Sequence, residues 1–227
     1  MKKLLNYFTP FEWILWIGSM LLMVFVFVLF NNDQYLYLIG SLIGSTAVIF
    51  VSKANPIGQI LTVVFAIFYG IISYSFKYYG EMLTYVGMTG PIALVSVITW
   101  IKNPYKGRLS EVKVNHLKRK EHLMLFLSGI IVSIIFYFIL RAFNTTYLLI
   151  STISIYTSFI ASYLTMRRSK HYALAYAAND IVLIILWTLA SLQDTSYIAL
   201  VICFIAFLCH DAYGFINWTN IHKRQQA

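Results

Sequence analysis

Charged residues are scarce in this chain. Asp, Glu, Lys and Arg make up 11% of its 227 residues, whereas hydrophobic types make up 60%. A soluble domain carries roughly 25% charged residues, so there is too little charge here to cover a water-soluble globule of this length. The composition therefore predicts an integral membrane protein.

Cysteines and catalytic motifs are also scarce. The two cysteines, Cys203 and Cys209, lie on different faces of one apolar helix, so neither a disulfide nor a metal pair is expected. The sequence has no Gly-rich phosphate loop, no His-Glu-x-x-His and no Gly-x-Ser-x-Gly. These absences argue against an ATP-driven pump, and we expect no catalytic residue, no metal and no cofactor.

The net charge of +9 does not indicate a nucleic-acid partner. The basic residues lie in short connectors between apolar runs and form no single basic face. The apolar run Trp13–Phe30 is longer than the roughly 7–15 residues of a signal-peptide core, and no small-x-small cleavage site follows it. We therefore expect this run to be the first membrane span, with the lipid bilayer as a partner.

Apolar runs near the roughly 17–25 residues that cross a bilayer predict eight spans. They are Trp13–Phe30, Tyr35–Val51, Pro56–Phe76, Met82–Ile101, Glu121–Leu140, Tyr147–Met166, Tyr172–Ala190 and Ser196–Asn217. If the N-terminus is cytoplasmic, all 17 Lys and Arg residues except Lys77 and Arg141 lie on the inner side. This bias predicts that both termini are cytoplasmic.

Two windows of the sequence, Tyr69–Trp100 and Leu186–Trp218, follow the same plan. Each has a short outer turn and then a span that ends in a tryptophan. One linking span lies between the two triplets and restores the chain direction, so both triplets enter the membrane with the same orientation. We predict an all-α membrane fold of eight transmembrane helices, built as one extra N-terminal helix plus a 3+1+3 parallel repeat.

This plan divides the chain into five parts. They are an extra N-terminal helix (1–34), a first three-helix repeat (35–101), a basic cytoplasmic loop with the linking helix (102–145), a second repeat (146–220) and a cytoplasmic tail (221–227). The basic loop is expected to be solvated and to lie against anionic lipid headgroups. Trp13, Trp100 and Trp218 are expected as anchors at the membrane interface, and Pro91 as a kink.

Two carboxylates interrupt the predicted spans. Asn179 and Asp180 lie within Tyr172–Ala190, and His210 and Asp211 lie within Ser196–Asn217. A charge in the bilayer interior costs at least roughly 2.5–3.5 kcal/mol, so such residues normally face a bundle interior or a watery cavity. Two structural alternatives stay open: Asp180 pairs with a Lys or His as a helix staple, and His210 bonds a carboxylate.

Helical spacing adds further candidates to this site. Trp187 shares a face with Asp180, and Tyr85 and Thr89 share another. Gln59 carries an amide that is costly in a membrane unless it is bonded. The predicted substrate-binding residues are Gln59, Tyr85, Thr89, Asn179, Asp180, Trp187, His210, Asp211 and Tyr213. Asp180 would offset a positive charge, Trp187 and Tyr85 would stack on a flat ring, and the two amides would hydrogen-bond; helix packing remains the alternative for Thr89.

Several short motifs resemble the PnuC-type nicotinamide riboside transporters of bacteria. They are Gly58-Gln59, Tyr69-Gly70-Ile71-Ile72-Ser73-Tyr74, Tyr79-Gly80-Glu81-Met82, Pro91, Trp100 and Asp211-Ala212-Tyr213-Gly214-Phe215-Ile216-Asn217-Trp218. The resemblance covers roughly residues 35–220. It implies two three-helix halves in a SWEET-like layout, located in the bacterial cytoplasmic membrane. It also implies facilitated diffusion of nicotinamide riboside for NAD synthesis, with trapping by cytoplasmic phosphorylation.

The chain departs from the family at one motif. Many members have a Trp-x-x-Trp pair before an Asn in the seventh span; here Asn179 matches the Asn, but Tyr172 and Ala175 stand at the Trp positions. Close relatives carry thiamine or riboflavin, so these remain alternative cargoes. Proton-coupled uptake through Asp211 and His210, an intramembrane enzyme, an assembly partner and a homo-oligomer are also left open.

Overall fold

The structure, a computed structural model, describes residues 7–30, 35–75 and 79–227. Its helices are α1 (Pro10–Phe30), α2 (Tyr35–Ser52), α3 (Pro56–Ser75), α4 (Tyr79–Thr84), α5 (Gly90–Ile101), α6 (Arg119–Ala142), α7 (Leu148–Met166), α8 (Tyr172–Ser191) and α9 (Ile198–Gln226). A π-helical turn, Tyr85–Thr89, joins α4 to α5, and a 3-10 turn, Thr195–Tyr197, precedes α9. A short hairpin of β1 (Pro104–Tyr105) and β2 (Arg108–Val112) follows α5.

The described helices agree with an all-α membrane fold. Within the described ranges, seven helices are long and apolar enough to cross a membrane. The apolar part of α3, Pro56–Ile71, is shorter than these. The all-helical membrane fold is therefore confirmed, and each predicted span falls on a helix. The predicted positions of Lys2, Lys3, Phe76 and Lys77 lie outside the described residues.

Six helices form a closed ring. In one triplet α2 packs on α3 and α3 packs on α5, and in the other α7 packs on α8 and α8 packs on α9. The ring closes where α9 packs on α2 and where α5 packs on α7. The remaining long helices lie outside this ring: α6 packs on α7, and α1 packs on α2 and α9.

Two buried tryptophans bond across the two seams of the ring. Trp100, near the end of α5, donates its indole N–H to the Thr165 carbonyl at 2.9 Å, and Trp218, on α9, donates to the Val51 carbonyl at 2.9 Å. Their ring centroids are 5.6 Å apart, and both side chains are fully buried. The prediction of interfacial anchors is therefore wrong for these two residues. Both indoles reach carbonyls at the C-terminal ends of α2 and α7, which also accept the N–H groups of Ala54 and Arg168 at 2.9 Å.

The residues beside these tryptophans repeat the arrangement. The Thr99 hydroxyl donates to the Met166 carbonyl at 3.1 Å, and the Asn217 amide donates to the Ser52 carbonyl at 2.8 Å. The third helix of each triplet thus bonds twice to the end of the first helix of the other triplet.

The basic connector after α5 is packed against the protein and spans both triplets. The Val112 N–H donates to the Ala54 carbonyl, and the Asn115 N–H donates to the Arg168 carbonyl, each at 2.9 Å. Ala54 and Arg168 both have φ of 56°, and each lies in the tight turn that ends the first helix of a triplet. The side chains of Val112 and Val114 are buried. The seven basic side chains of Lys102–Lys120 are exposed, as expected of a solvated loop, whereas these two valines enter the core.

The predicted tail is a continuation of α9. Gln225 accepts from the Val114 N–H and donates to the Val112 carbonyl, and Arg224 forms an ion pair with Glu111 of β2 at 2.6 Å. These contacts with the hairpin extend the helix to Gln226. Asn55 donates to the Tyr7 hydroxyl at 2.8 Å. Both ends of the described chain therefore lie at the hairpin end of the bundle.

The expected irregularity near Pro91 is a π-helical turn. The Gly90 N–H donates to the Tyr85 carbonyl, one residue further back than in an α-helix. Pro91 has no N–H to continue the ordinary ladder, and it occupies the first turn of α5. Turns of this kind are frequent at functional sites, and this one carries Tyr85 and Thr89.

Replacing Trp100 or Trp218 by Phe should destabilise the protein by similar amounts. Each change removes one buried hydrogen bond and some packed volume, for a loss of about 1 kcal/mol or more. The measurement is the midpoint of thermal unfolding in detergent. Trp13→Phe, at a half-buried position, is the control and should change the midpoint less. Equal shifts in all three variants would contradict the assigned role of the two cross-seam bonds.

Candidate functional site

The ring of six helices encloses a cavity of about 90 Å³. The lining residues are Gly44, Ala47, Val48, Val51, Gln59, Thr62, Phe65, Tyr85, Thr89, Ser158, Tyr172, Tyr176, Asn179, Asp180, Phe204, Phe207 and Asp211. This volume holds several waters at roughly 10–15 Å³ each. It is below the roughly 300–1,000 Å³ of typical small-molecule sites, so an organic ligand requires the cavity to widen.

Six of the nine predicted site residues line this cavity. They are Gln59, Tyr85, Thr89, Asn179, Asp180 and Asp211. Tyr85 and Thr89 line the cavity together because residues three, four or seven apart on a helix share a face. On α8 this face also carries Tyr172 and Tyr176, which the sequence analysis did not assign to the site.

Asp180 of α8 and Asp211 of α9 meet at the cavity wall. Their carboxyl groups lie within hydrogen-bonding reach of each other, and each residue is 4% exposed. None of the lining residues is a Lys, Arg or His. Two buried carboxyl groups in contact cannot both ionise without a compensating cation. The pair therefore retains at least one proton, and the alternative of Asp180 as a partner of Lys or His is wrong.

Three polar atoms on the cavity wall lack a hydrogen-bond partner within the described part of the chain. They are Thr89 Oγ1, Tyr172 OH and Asp180 Oδ2, all on buried side chains. An unsatisfied buried polar group costs about 1–3 kcal/mol. All three belong to cavity-lining residues but are themselves buried, so water or a ligand could bond them only after the cavity widens.

The amides and the aromatic rings shape the rest of the wall. The Asn179 side-chain carbonyl accepts a hydrogen bond from Thr157 at 2.8 Å, which fixes the orientation of its amide. The ring of Phe65 lies edge-on to Tyr85 and to Phe207, with centroids 5.7 and 6.4 Å apart. Sequence reasoning missed both phenylalanines, although Phe65 lies one turn from Thr62 and Phe207 one turn from Asp211. A flat ring in the cavity would contact aromatic side chains on more than one side.

Trp187 lies away from the cavity. It belongs to an apolar cluster near the start of α9, and its ring centroid is 5.4 Å from that of Tyr197. Seven residues separate it from Asp180, which is about 10 Å along the helix axis. The two residues share a helix face as predicted, but they occupy different depths in the bundle.

His210 and Tyr213 face α1 and not the cavity. His210 is fully buried and hydrogen-bonds with the Ser19 hydroxyl at 3.0 Å, so the alternative in which it bonds a carboxylate is wrong. The Tyr213 hydroxyl donates to Glu12, which also pairs with Lys53 at 2.6 Å. His210 is next to Asp211 in the chain but about 100° round the helix, which turns it towards α1.

Glu12 is a buried carboxylate that sequence reasoning missed. It is 1% exposed, and besides Lys53 and Tyr213 it accepts the Thr9 N–H at 2.6 Å. Its position at the first turn of α1, two residues after Pro10, is typical of an acidic helix start. This is the signal that could have identified it.

Sequence comparisons match this chain to nicotinamide transporters. A family model described as "Nicotinamide mononucleotide transporter" matches residues 34–220. The nicotinamide riboside transporter PnuC of Neisseria mucosa is 25% identical over 232 residues, which cover 100% of this chain and 87% of that protein. The protein of the same name from Haemophilus influenzae is 23% identical over 216 residues, covering 95% and 92%.

The fold is also similar to a solved one. A crystal structure of the vitamin B3 transporter PnuC superposes with a TM-score of 0.83, covering 96% of this chain and 94% of that chain, at 24% identity. At this identity the superposition shows a shared fold.

Gly44→Ala should disturb the cavity wall. A Cβ at this position would lie 2.7 Å from Phe207 Cζ and 3.1 Å from Phe65 Cε2, so both rings must shift, at a cost of about 1–3 kcal/mol. Gly18→Ala is the matched control, because no atom lies within 4 Å of its Cβ and alanine favours helix. Thermal unfolding in detergent should show a loss of stability for the first variant only. A Gly44→Ala protein as stable as Gly18→Ala would contradict the tight contact.

Proposed function

The chain belongs to the nicotinamide mononucleotide transporter family, and on that premise we propose that it carries nicotinamide riboside across the bacterial cytoplasmic membrane. Membership confirms the resemblance seen in the sequence, and it confirms that the chain is a multi-pass membrane transporter and not an enzyme. The proposed cargo is supported by the names of both relatives, which are nicotinamide riboside transporters. The partners are thus a small-molecule substrate and the lipid bilayer; a homo-oligomer remains open.

The Asp180–Asp211 pair is the observation that carries this proposal. The pyridinium ring of nicotinamide riboside has a permanent positive charge, and the cavity wall has two carboxyl groups and no basic side chain. We assign charge compensation to this pair, stacking to Tyr85, and hydrogen bonds to Gln59 and Asn179. The proposed site consists of the cavity-lining members of the predicted set, so Trp187, His210 and Tyr213 take no part in it.

The Asp180–Asp211 pair favours related cargoes according to their charge. A phosphate group adds roughly −1.5 to −2 charges, which the carboxyl groups and the absence of basic residues disfavour. We therefore propose the riboside over the mononucleotide. Thiamine, also a cation, remains the alternative cargo that fits this charge, whereas riboflavin gains nothing from it.

We further propose facilitated diffusion followed by trapping. A kinase in the cytoplasm would add a phosphate to the riboside, and the product would then be repelled by the carboxyl pair. Uptake would follow the substrate gradient without an ATP-driven step. A proton relay through His210 is not supported, because its ring bonds Ser19 on the side of α9 that faces α1.

The proposed membrane arrangement has eight spans, with α3 as the third and α4 through α5 as the fourth. The five-part division predicted from the sequence applies, with residues 35–101 and 146–220 as parallel repeats. It is supported by the reciprocal bonds of Trp100 and Trp218. We place the hairpin end in the cytoplasm, because the basic connector and both ends of the described chain lie there.

Transport would then proceed by separation of the two triplets at the hairpin end. Trp100, Trp218 and Tyr172 pack together below the cavity, with Tyr172 edge-on to Trp218 at 4.8 Å. In the described conformation these rings close the cytoplasmic route. Parting them and widening the cavity would expose the site to the other side.

Asp180→Asn should weaken binding of nicotinamide riboside by about 30-fold or more. Removing one member of a desolvated charge pair typically costs about 2–5 kcal/mol. Binding is measured by calorimetry on the purified protein, and uptake of labelled substrate is measured in proteoliposomes.

Asp194→Asn is the matched control for this change. Asp194 is exposed and caps the turn before α9, and asparagine caps equally well, so both activities should be retained. Undiminished binding in Asp180→Asn, or equal binding of the mononucleotide by the unmodified protein, would contradict the proposed site.

A further inference from the structure

We propose that a cationic substrate replaces a proton at the Asp180–Asp211 pair, so that each binding event exchanges one positive charge for another. The inference rests on the proposed function, in which the cargo is a cation. It goes beyond facilitated diffusion because it links occupancy of the site to proton release.

The geometry of the pair gives the first argument. The two carboxyl groups touch between α8 and α9, both residues line the cavity and are 4% exposed, and Asp180 Oδ2 is buried without a partner among the described residues. When the cavity widens to admit a ligand, this oxygen can bind it while the pair stays bonded internally. The hydroxyls of Thr89 and Tyr172, which belong to two other lining residues, also have no partner among the described residues.

The second argument is the absence of a compensating base in the described surroundings of the pair. α2, α3 and α7 contribute no titratable side chain to the cavity wall. The titratable groups facing the pair are Tyr172 and Tyr176 of α8, Tyr85 of the π turn and Cys203 of α9, with Glu81 of α4 behind Tyr85. From α1, Glu12 is occupied by Lys53 and Tyr213, and Ser19 faces His210.

These surroundings set the charge of the empty site. Buried carboxyl groups without a counter-cation neutralise by retaining their protons. A cation that enters the cavity removes that cost, so the Asp180 carboxylic acid releases its proton to water and binds the cation as a carboxylate. No covalent bond in the substrate changes, and the net charge of the occupied site equals that of the empty site.

The third argument is that the pair has no counterpart across the ring. When the two triplets are aligned so that Val51 corresponds to Thr165, Ala66 corresponds to Asp180. When they are aligned so that Trp100 corresponds to Trp218, Ala93 corresponds to Asp211. Ala66 and Ala93 are both buried. Alanine therefore satisfies packing at these ring positions, and packing alone does not account for the two carboxyl groups.

Calorimetry in buffers of different ionisation enthalpy tests the exchange. The two probes are nicotinamide riboside and its reduced dihydro form, which has a similar shape but no charge. We expect the cation to release up to one proton and the reduced form to release none. The affinity for the cation should fall by up to about tenfold for each unit of pH decrease, as proton linkage requires, while that for the reduced form stays constant. Binding of the cation without proton release, or equal release by both probes, would overturn the proposal and leave the proposed function intact.

Infrared spectroscopy tests the proton itself without depending on the cargo. The empty protein at neutral pH should show the carbonyl stretch of a protonated carboxylic acid. The band should weaken in Asp211→Asn and remain in Asp194→Asn, and the cation should weaken it in the unmodified protein. Absence of this band from the empty protein would overturn the exchange on its own. If neither probe binds, the proposed cargo and the exchange both fail.

Discussion

In this fold, a polar group removed from water must find its partner inside the protein. At the hairpin end, the carbonyls that finish α2 and α7 are met by Trp218 and Trp100, each from the opposite triplet. The turn after each helix also donates an N–H to the same carbonyl, so the indole bonds link the triplets at helix ends that are already satisfied. Among the described residues, the buried atoms without a partner include Thr89 Oγ1, Tyr172 OH and Asp180 Oδ2 of the cavity-lining residues, and also His210 Nδ1 on the side of α1.

The two triplets share a frame but differ in chemistry. Matching backbone turns, matching cross-seam bonds and a common packing order surround the cavity evenly. The charge-bearing groups, in contrast, come only from α8 and α9, while α2 and α3 supply small residues, one amide and one ring. A symmetric frame can thus carry an asymmetric site, with two carboxyl groups on one wall and an amide and a phenyl ring on the other.

Much of this could be predicted from the sequence. Span length located the helices, and the cost of polar groups inside a membrane singled out Asp180, Asp211 and Gln59. Helical spacing added Tyr85 and Thr89 to the residues that line the cavity. Spacing along one helix gives a face, but it does not say which neighbour covers that face or at what depth. Trp187 shares the predicted face at another level, and His210 turns to α1. Likewise, hydropathy could not show that Val112 of a basic connector is fully buried, because that depends on the turns it covers.

The extra helix α1 joins only one of the two seams of the ring. Through Glu12 it holds Lys53, at the end of α2, and Tyr213 of α9 in a single buried network, and α2 and α9 are the pair that closes this seam. At the other seam, between α5 and α7, the linking helix α6 packs along the α7 side. Parting the triplets at this first seam would separate the buried Glu12 carboxylate from one of its partners. The second seam also has a charged bond, from the Arg168 guanidinium to the Thr99 carbonyl at 3.0 Å, but Arg168 is only half-buried. Opening at α5 and α7 would therefore leave the buried network of α1 intact.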